Sequence, residues 1–295
     1  MQKLAIAPAC MVAAFMSILS LGSCSKSDNA TPGATGEAAV TATAAADNQA
    51  DAVYNDVADN VLGVNTEFGI GTGIGVFVPG ANNVAPWQTG WEHCFTATIS
   101  PETVGVFPKT VTLDFGEGCT GRDGHVRKGK MSTVYTGPLF VAGNTATTTF
   151  EGFYFDSLQV EGKHTLANNS TADGHSFTSV IENGKITAPS GTYTTWNRTR
   201  SWAQTEGMNT PYFPVDDVYN ITGNSNGTIV SGTNAYQWTG TVTEPLVRKL
   251  ICPWTVAGKI EINSQNLKSV LDFGNGTCDR KATLTINGKI FEINW

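Results

Sequence analysis

Charged side chains are scarce in this 295-residue chain: Asp, Glu, Lys and Arg together make 15%, against ~25% in a typical soluble domain. No block of Lys and Arg occurs, and the net charge of −7 removes the basic footprint that a nucleic-acid partner requires. The four histidines, His93, His125, His164 and His175, are scattered. No Cys-x-x-Cys pair, Gly-x-Ser-x-Gly elbow or His-Glu-x-x-His segment is present, so the zinc and hydrolase sites that spacing alone reveals are missing. The run Gly69 to Gly75 misses the dinucleotide fingerprint, because Ile74 and Val76 stand where a third glycine belongs. Asp216-Asp217 is the one adjacent acidic pair of the β region, and neighbours on a strand face opposite ways. No residue is assigned a catalytic role.

What is present is glycine, 32 residues of it, with 40% hydrophobic side chains, enough for a core and too many for a disordered chain. Residues 1–23 read as an export signal, with Lys3 ahead of an apolar stretch from Leu4 to Leu21. The stretch ends Leu21-Gly22-Ser23-Cys24 and resembles the lipobox of bacterial lipoproteins. The resemblance implies cleavage before Cys24 and acylation of that residue, which places the protein in the cell envelope. The expected partner is a membrane, by expectation the outer one, with the periplasmic or surface face open. An uncleaved span is the competing reading, and the small residues before Cys24 and the polar run after it favour cleavage. Residues 24–48 hold almost no bulky side chain, so they are expected to be a flexible tether.

A short helix is expected from Asp51 to Leu62, where Val53, Val57 and Val61 recur every four residues beside Tyr54, Ala58 and Leu62. Asp47, Asn48 and Asp51 would cap its start and Gly63 its end. From there the period becomes two. Strands are expected at Thr110–Phe115, Lys130–Thr136, Ala146–Phe155, Gln159–Leu166, Ser176–Glu182, Thr192–Trp202, Asp217–Thr222, Ala235–Thr243, Trp254–Ile262 and Ser269–Phe273. Asn287-Gly288 predicts a type I′ hairpin with Ala282, Leu284, Ile286, Phe291, Ile293 and Trp295 on one face. Asn183-Gly184 predicts another, setting Glu182 opposite Lys185. The fold class is therefore all-β, a mainly antiparallel sheet (sandwich or curved and rolled) with one short N-terminal helix, in a single domain over 49–295.

Four cysteines remain beyond Cys10 and Cys24, and their surroundings match in pairs. Cys94 precedes Leu113-Asp114-Phe115-Gly116-Glu117-Gly118-Cys119, and Cys252 precedes Leu271-Asp272-Phe273-Gly274-Asn275-Gly276-Thr277-Cys278. Like units should bond internally, so the expected disulfides are Cys94–Cys119 and Cys252–Cys278, over units 94–119 and 252–278. Asp114 and Asp272 are expected to accept hydrogen bonds from the amides of their Gly-rich turns. The competing reading is a calcium site at Asp114, Glu117 and Asp123; no other cofactor is expected. These paired units, together with Arg127-Lys128-Gly129-Lys130 and the segment Trp196 to Trp202, resemble an uncharacterised family of secreted proteins and lipoproteins of Bacteroidota-type bacteria. The resemblance spans roughly residues 49–295 and implies location without adding an activity.

In Trp196-Asn197-Arg198-Thr199-Arg200-Ser201-Trp202, period two puts Trp196, Arg198, Arg200 and Trp202 on one face. That strip suits sugar rings or an anionic group. It equally suits a ladder in which Arg stems cover the indoles and carboxylates of an adjacent strand neutralise the charge. The expectation is a non-enzymatic, lipid-anchored protein with a binding or structural role, its partner a glycan or an envelope protein. An enzyme acting on envelope or extracellular glycans, and a lipid carrier with an open curved sheet, are the alternatives.

Overall fold

The computed structural model describes residues 32–62, 95–103, 105–121, 124–139, 141–172, 174–209 and 216–294. One helix, α1 (Pro32–Leu62), precedes the strands β1 (Thr96–Ser100), β2 (Lys109–Asp114), β3 (Cys119–Thr120), β4 (Val126–Tyr135), β5 (Thr145–Phe155), β6 (Leu158–Asn168) and β7 (Ser176–Thr187). Then follow β8 (Tyr193–Glu206), β9 (Val218–Ser231), β10 (Asn234–Lys249), β11 (Thr255–Ser264), β12 (Leu267–Asn275), β13 (Lys281–Ile286) and β14 (Lys289–Asn294). The strands form one open antiparallel meander in chain order, with β3 pairing β4 beside the path. Among the described residues no helix is long and apolar enough to cross a membrane.

The helix is longer than its apolar stripe predicts, and it lies inside the curl of the sheet. The expected tether therefore ends at Pro32, and Asp47, Asn48 and Asp51 sit in the middle of the helix instead of capping its start. Val40, Thr43, Ala44, Ala50, Val57 and Ala58 have no exposed surface, and Asn48, Asn55 and Asn60 on other sides are buried too. Low bulk, which reads as a spacer in a free chain, is what admits a helix to a narrow concavity. Packed strands then supply the burial that propensity alone cannot. Tyr54 donates from Oη to the Glu161 carbonyl at 2.8 Å, and Tyr135 to the Val61 carbonyl at 3.0 Å. Near the other end of α1, Lys289 pairs with Glu37 at 3.0 Å.

Glycines let the sheet bend around the helix. Gly129, at φ 77°, sits at a register break between β4 and β5, where a Cβ would lie 2.0 Å from the Gly152 carbonyl oxygen. Such bulges raise local twist and curl the strand. Asn183-Gly184 is one of them and not the expected turn: β7 runs straight through, with Asn183 at φ 52° opposite a break at Gly162. Glu182 consequently pairs with Lys163 at 2.5 Å, and Lys185 with Glu161 at 3.2 Å. An Asn-Gly pair satisfies a bulge as readily as a hairpin, because both need a left-handed backbone. Asn287-Gly288 does make the expected hairpin, with Leu284 opposite Phe291 and Ala282 opposite Ile293. Ala282, Leu284 and Ile286 are buried, and Trp295 lies outside the described residues.

Cys252 and Cys278 form a disulfide. Cys119 is disulfide-bonded as well; Cys94, its expected partner, lies outside the described residues. Replacing Cys252 and Cys278 together by Ser is expected to remove ~3–4 kcal/mol, the entropy of closing a loop of this length. The readout is the midpoint of urea unfolding without reductant.

Candidate functional site

The strip predicted from β8 faces inward. Trp196, Arg198, Arg200 and Trp202 are 0%, 3%, 1% and 1% exposed, so an open aromatic and cationic surface is ruled out for them. The Arg198 guanidinium does lie over the Trp196 ring, 5.1 Å from its centroid. The neutralising carboxylates come from α1 and not from an adjacent strand. Arg198 bonds Asp51 at 2.5 Å, Arg127 bonds Asp56 through Nε at 3.0 Å, and Arg248 pairs with Asp59. Asp47 accepts two indole N–H groups, from Trp196 at 2.9 Å and Trp238 at 3.0 Å. Among the described residues no acceptor bonds Arg200, whose charge feels Asp51 and Asp47 through space. Burial alone would raise Asp51, but Arg198, Arg200 and a bond from Asn55 hold its carboxyl below the usual range. Burial pushes Asp59 up to about 6 despite Arg248. His164 is pushed down to about 3 by burial and by Arg198, and hydrogen-bonds Ser179 at 2.9 Å as a neutral ring. This seam is sealed from solvent, so it locks helix to sheet and offers no ligand a route in.

The calcium reading loses its geometry. Asp114 accepts from the Gly116 amide at 3.0 Å, as Asp272 does from Gly274 at 2.9 Å. Asp114 also pairs with Lys130 at 3.2 Å, while Glu117 turns to Lys128 at 2.7 Å. Two carboxylates each neutralised by a separate lysine do not converge on a cation. Asp123 lies outside the described residues, among which no group of three or more His, Cys, Asp or Glu side chains could hold a metal ion.

Asp217 contacts Tyr219 and Gln204, which donate to it at 3.2 and 2.8 Å. Burial first, and the Asp216 carboxylate beside it, push Asp217 up to about 7. A carboxyl raised above its unfolded value of ~4 stays protonated in the fold while the unfolded chain ionises. Stability therefore falls as pH climbs from about 4 to about 7 and then levels. Asp217→Asn is expected to flatten that slope and to add about 1 kcal/mol at pH 8 after allowing for solvent screening. Denaturant midpoints at pH 5 and pH 8 measure it.

A groove of about 890 Å³ lies on the opposite, outer face of the sheet, across β8 to β12. Its floor is a row in direct register: Asn197, Asn226, Thr239, Asn263 and Lys268, one from each strand. Thr195, Thr228 and Gln237 extend it, and the β11–β12 turn at Gln265 and Asn266 closes one end. Asn197 accepts from the Asn183 amide at 2.9 Å, so its amide plane is held. Lys268 pairs with Glu261 at 3.0 Å. The lining contains no His, Cys, Asp or Glu, and its one charged side chain, Lys268, is tied up by Glu261. Sequence reasoning followed the indoles and missed this surface. The signal lay in the alternate positions of the same segment, Thr195 and Asn197, with Asn224 and Asn226 opposite Thr199 and Asn197 on β9. No family model matches the chain, and neither the curated proteins nor the solved structures hold a match to it.

Proposed function

We propose that this chain is a lipid-anchored cell-envelope protein that works by binding, through the outer groove across β8 to β12. The observation that carries the reading is the contrast between two faces. The concave face is filled by α1 and sealed with buried ion pairs, while the outer face carries a polar groove whose lining holds no His, Cys, Asp or Glu. Filling of the curl also removes the open apolar interior that a lipid carrier would need. Acylation at Cys24 supplies the anchor, since more than one chain is needed for stable attachment.

Pro32 begins the helix eight residues after Cys24, a span of no more than ~29 Å even when fully extended. The domain is then held close to the bilayer, with the Glu37–Lys289 end of the helix nearest to it. Intact mass of protein extracted from membranes tests the anchor. The expected species lacks residues 1–23, carries acyl chains, and is lost from the membrane fraction on Cys24→Ala. A retained Met1 without acyl mass overturns the proposal.

A further inference from the structure

We infer that the outer groove takes a neutral, polyhydroxylated chain, that is, an uncharged oligosaccharide; this rests on the binding reading above and names its ligand class. The chemistry of the lining selects this class. A phosphate or other anionic ligand needs unpaired basic groups, and the one cation here, Lys268, is neutralised by Glu261 at 3.0 Å. A metal ion needs clustered carboxylates, and the lining has none. A lipid tail or aromatic ligand needs exposed apolar walls, whereas the lining side chains here are Thr, Asn, Gln, Ser and Lys, and the one aromatic among them, Trp238, is 2% exposed. An extended peptide that adds to a sheet needs an edge strand. The groove crosses five strands that lie within the sheet, each paired on both sides.

What remains is matched closely by sugar hydroxyls. An Asn or Gln side chain offers a donor and an acceptor side by side, and a Thr hydroxyl offers both, so vicinal hydroxyls can be met two at a time. The side chains of Asn226, Thr239, Gln265 and Asn266 make no hydrogen bond within the protein among the described residues, which leaves their groups available to a ligand. The register row from Asn197 to Lys268 repeats once per strand, at ~4.8 Å, close to the advance of one pyranose along a chain, and it covers ~19 Å over four steps. The groove volume of about 890 Å³ falls in the range of small-ligand sites, ~300–1,000 Å³. Paired strands fix the backbone positions of Asn197, Asn226, Thr239 and Asn263 before the ligand arrives, which lowers the ordering cost of binding.

The test uses the full-length, detergent-extracted protein. Calorimetric titrations are run with malto-, cello-, xylo- and fully N-acetylated chito-hexaose as neutral probes and with an oligogalacturonate as the acidic one. Binding of at least one neutral hexamer is expected, with affinity reduced about tenfold in Asn226→Leu and in Thr239→Val, the loss of one or two hydrogen bonds each. Thr147→Val, on the outer face of β5, should leave affinity unchanged. Thr239→Val keeps side-chain shape and serves if Asn226→Leu folds poorly. Binding that both groove variants leave intact overturns the site. Binding of the acidic probe alone, or of none of the neutral hexamers, overturns the ligand class. In those cases a correctly acylated mass leaves the envelope reading standing, so the two failures are separable.

Discussion

Asp51→Ala is expected to destabilise the protein by ~3–5 kcal/mol, because it strands Arg198 in a dry interior. The Arg198 side chain is 1% exposed and its partner 7%; Arg200, which has no direct acceptor among the described residues, loses the stronger of its two compensating charges as well. At ~2–4 °C per kcal/mol for a domain of this size, the melting temperature should drop by roughly 10 °C. Pairing Asp51→Ala with Arg198→Met should cost less than the sum of the single changes, since the second change removes the stranded charge. The pH dependence has a fixed sign. A carboxyl held below its unfolded value contributes stability that is present above pH ~4 and is lost as pH falls through its folded value. High salt should leave the effect almost untouched, because buried pairs are poorly screened. A cost below ~1 kcal/mol, typical of an exposed pair, would contradict the sealed seam.

Trp196→Ala is expected to cost ~3–5 kcal/mol, the usual range for emptying an indole-sized site. It also removes one of the two N–H donors to Asp47, whose second carboxylate oxygen already has no partner. Asn197→Leu, one residue along the same strand, should cost no more than about 1.5 kcal/mol, because its side chain is on the wet face and gives up only the exposed hydrogen bond from the Asn183 amide. The contrast between neighbours is the test. Urea unfolding of both variants measures it, and equal costs would mean that the two faces of β8 are not what the burial pattern says.

The alternation in that segment was legible as text. Period two separates Trp196, Arg198, Arg200 and Trp202 from Asn197, Thr199 and Ser201 in any strand. Which set meets water was not legible, because arginine and tryptophan on one face serve a ligand or a buried ladder equally well. The answer came from Asp47 and Asp51, far away in sequence, on a segment whose small side chains resemble a spacer. Asn183-Gly184 shows the same limit on a smaller scale. The dipeptide announces a left-handed backbone, and only pairing with Gly162 and Glu161 on β6 distinguishes a bulge from a turn.

Sequence alone determined the antiparallel character of the chain, the final hairpin, the Cys252–Cys278 pairing and the turn hydrogen bonds of Asp114 and Asp272. All of these depend on groups close together along the chain, or on a repeated local pattern. Tertiary structure decided that α1 begins at Pro32 and fills the curl, that the tryptophan and arginine face looks inward, and that the asparagine and threonine face forms a groove. These outcomes turn on non-local burial. Whether a carboxylate and a guanidinium meet in a dry interior or in water depends on which surfaces the folded sheet brings together across more than a hundred residues.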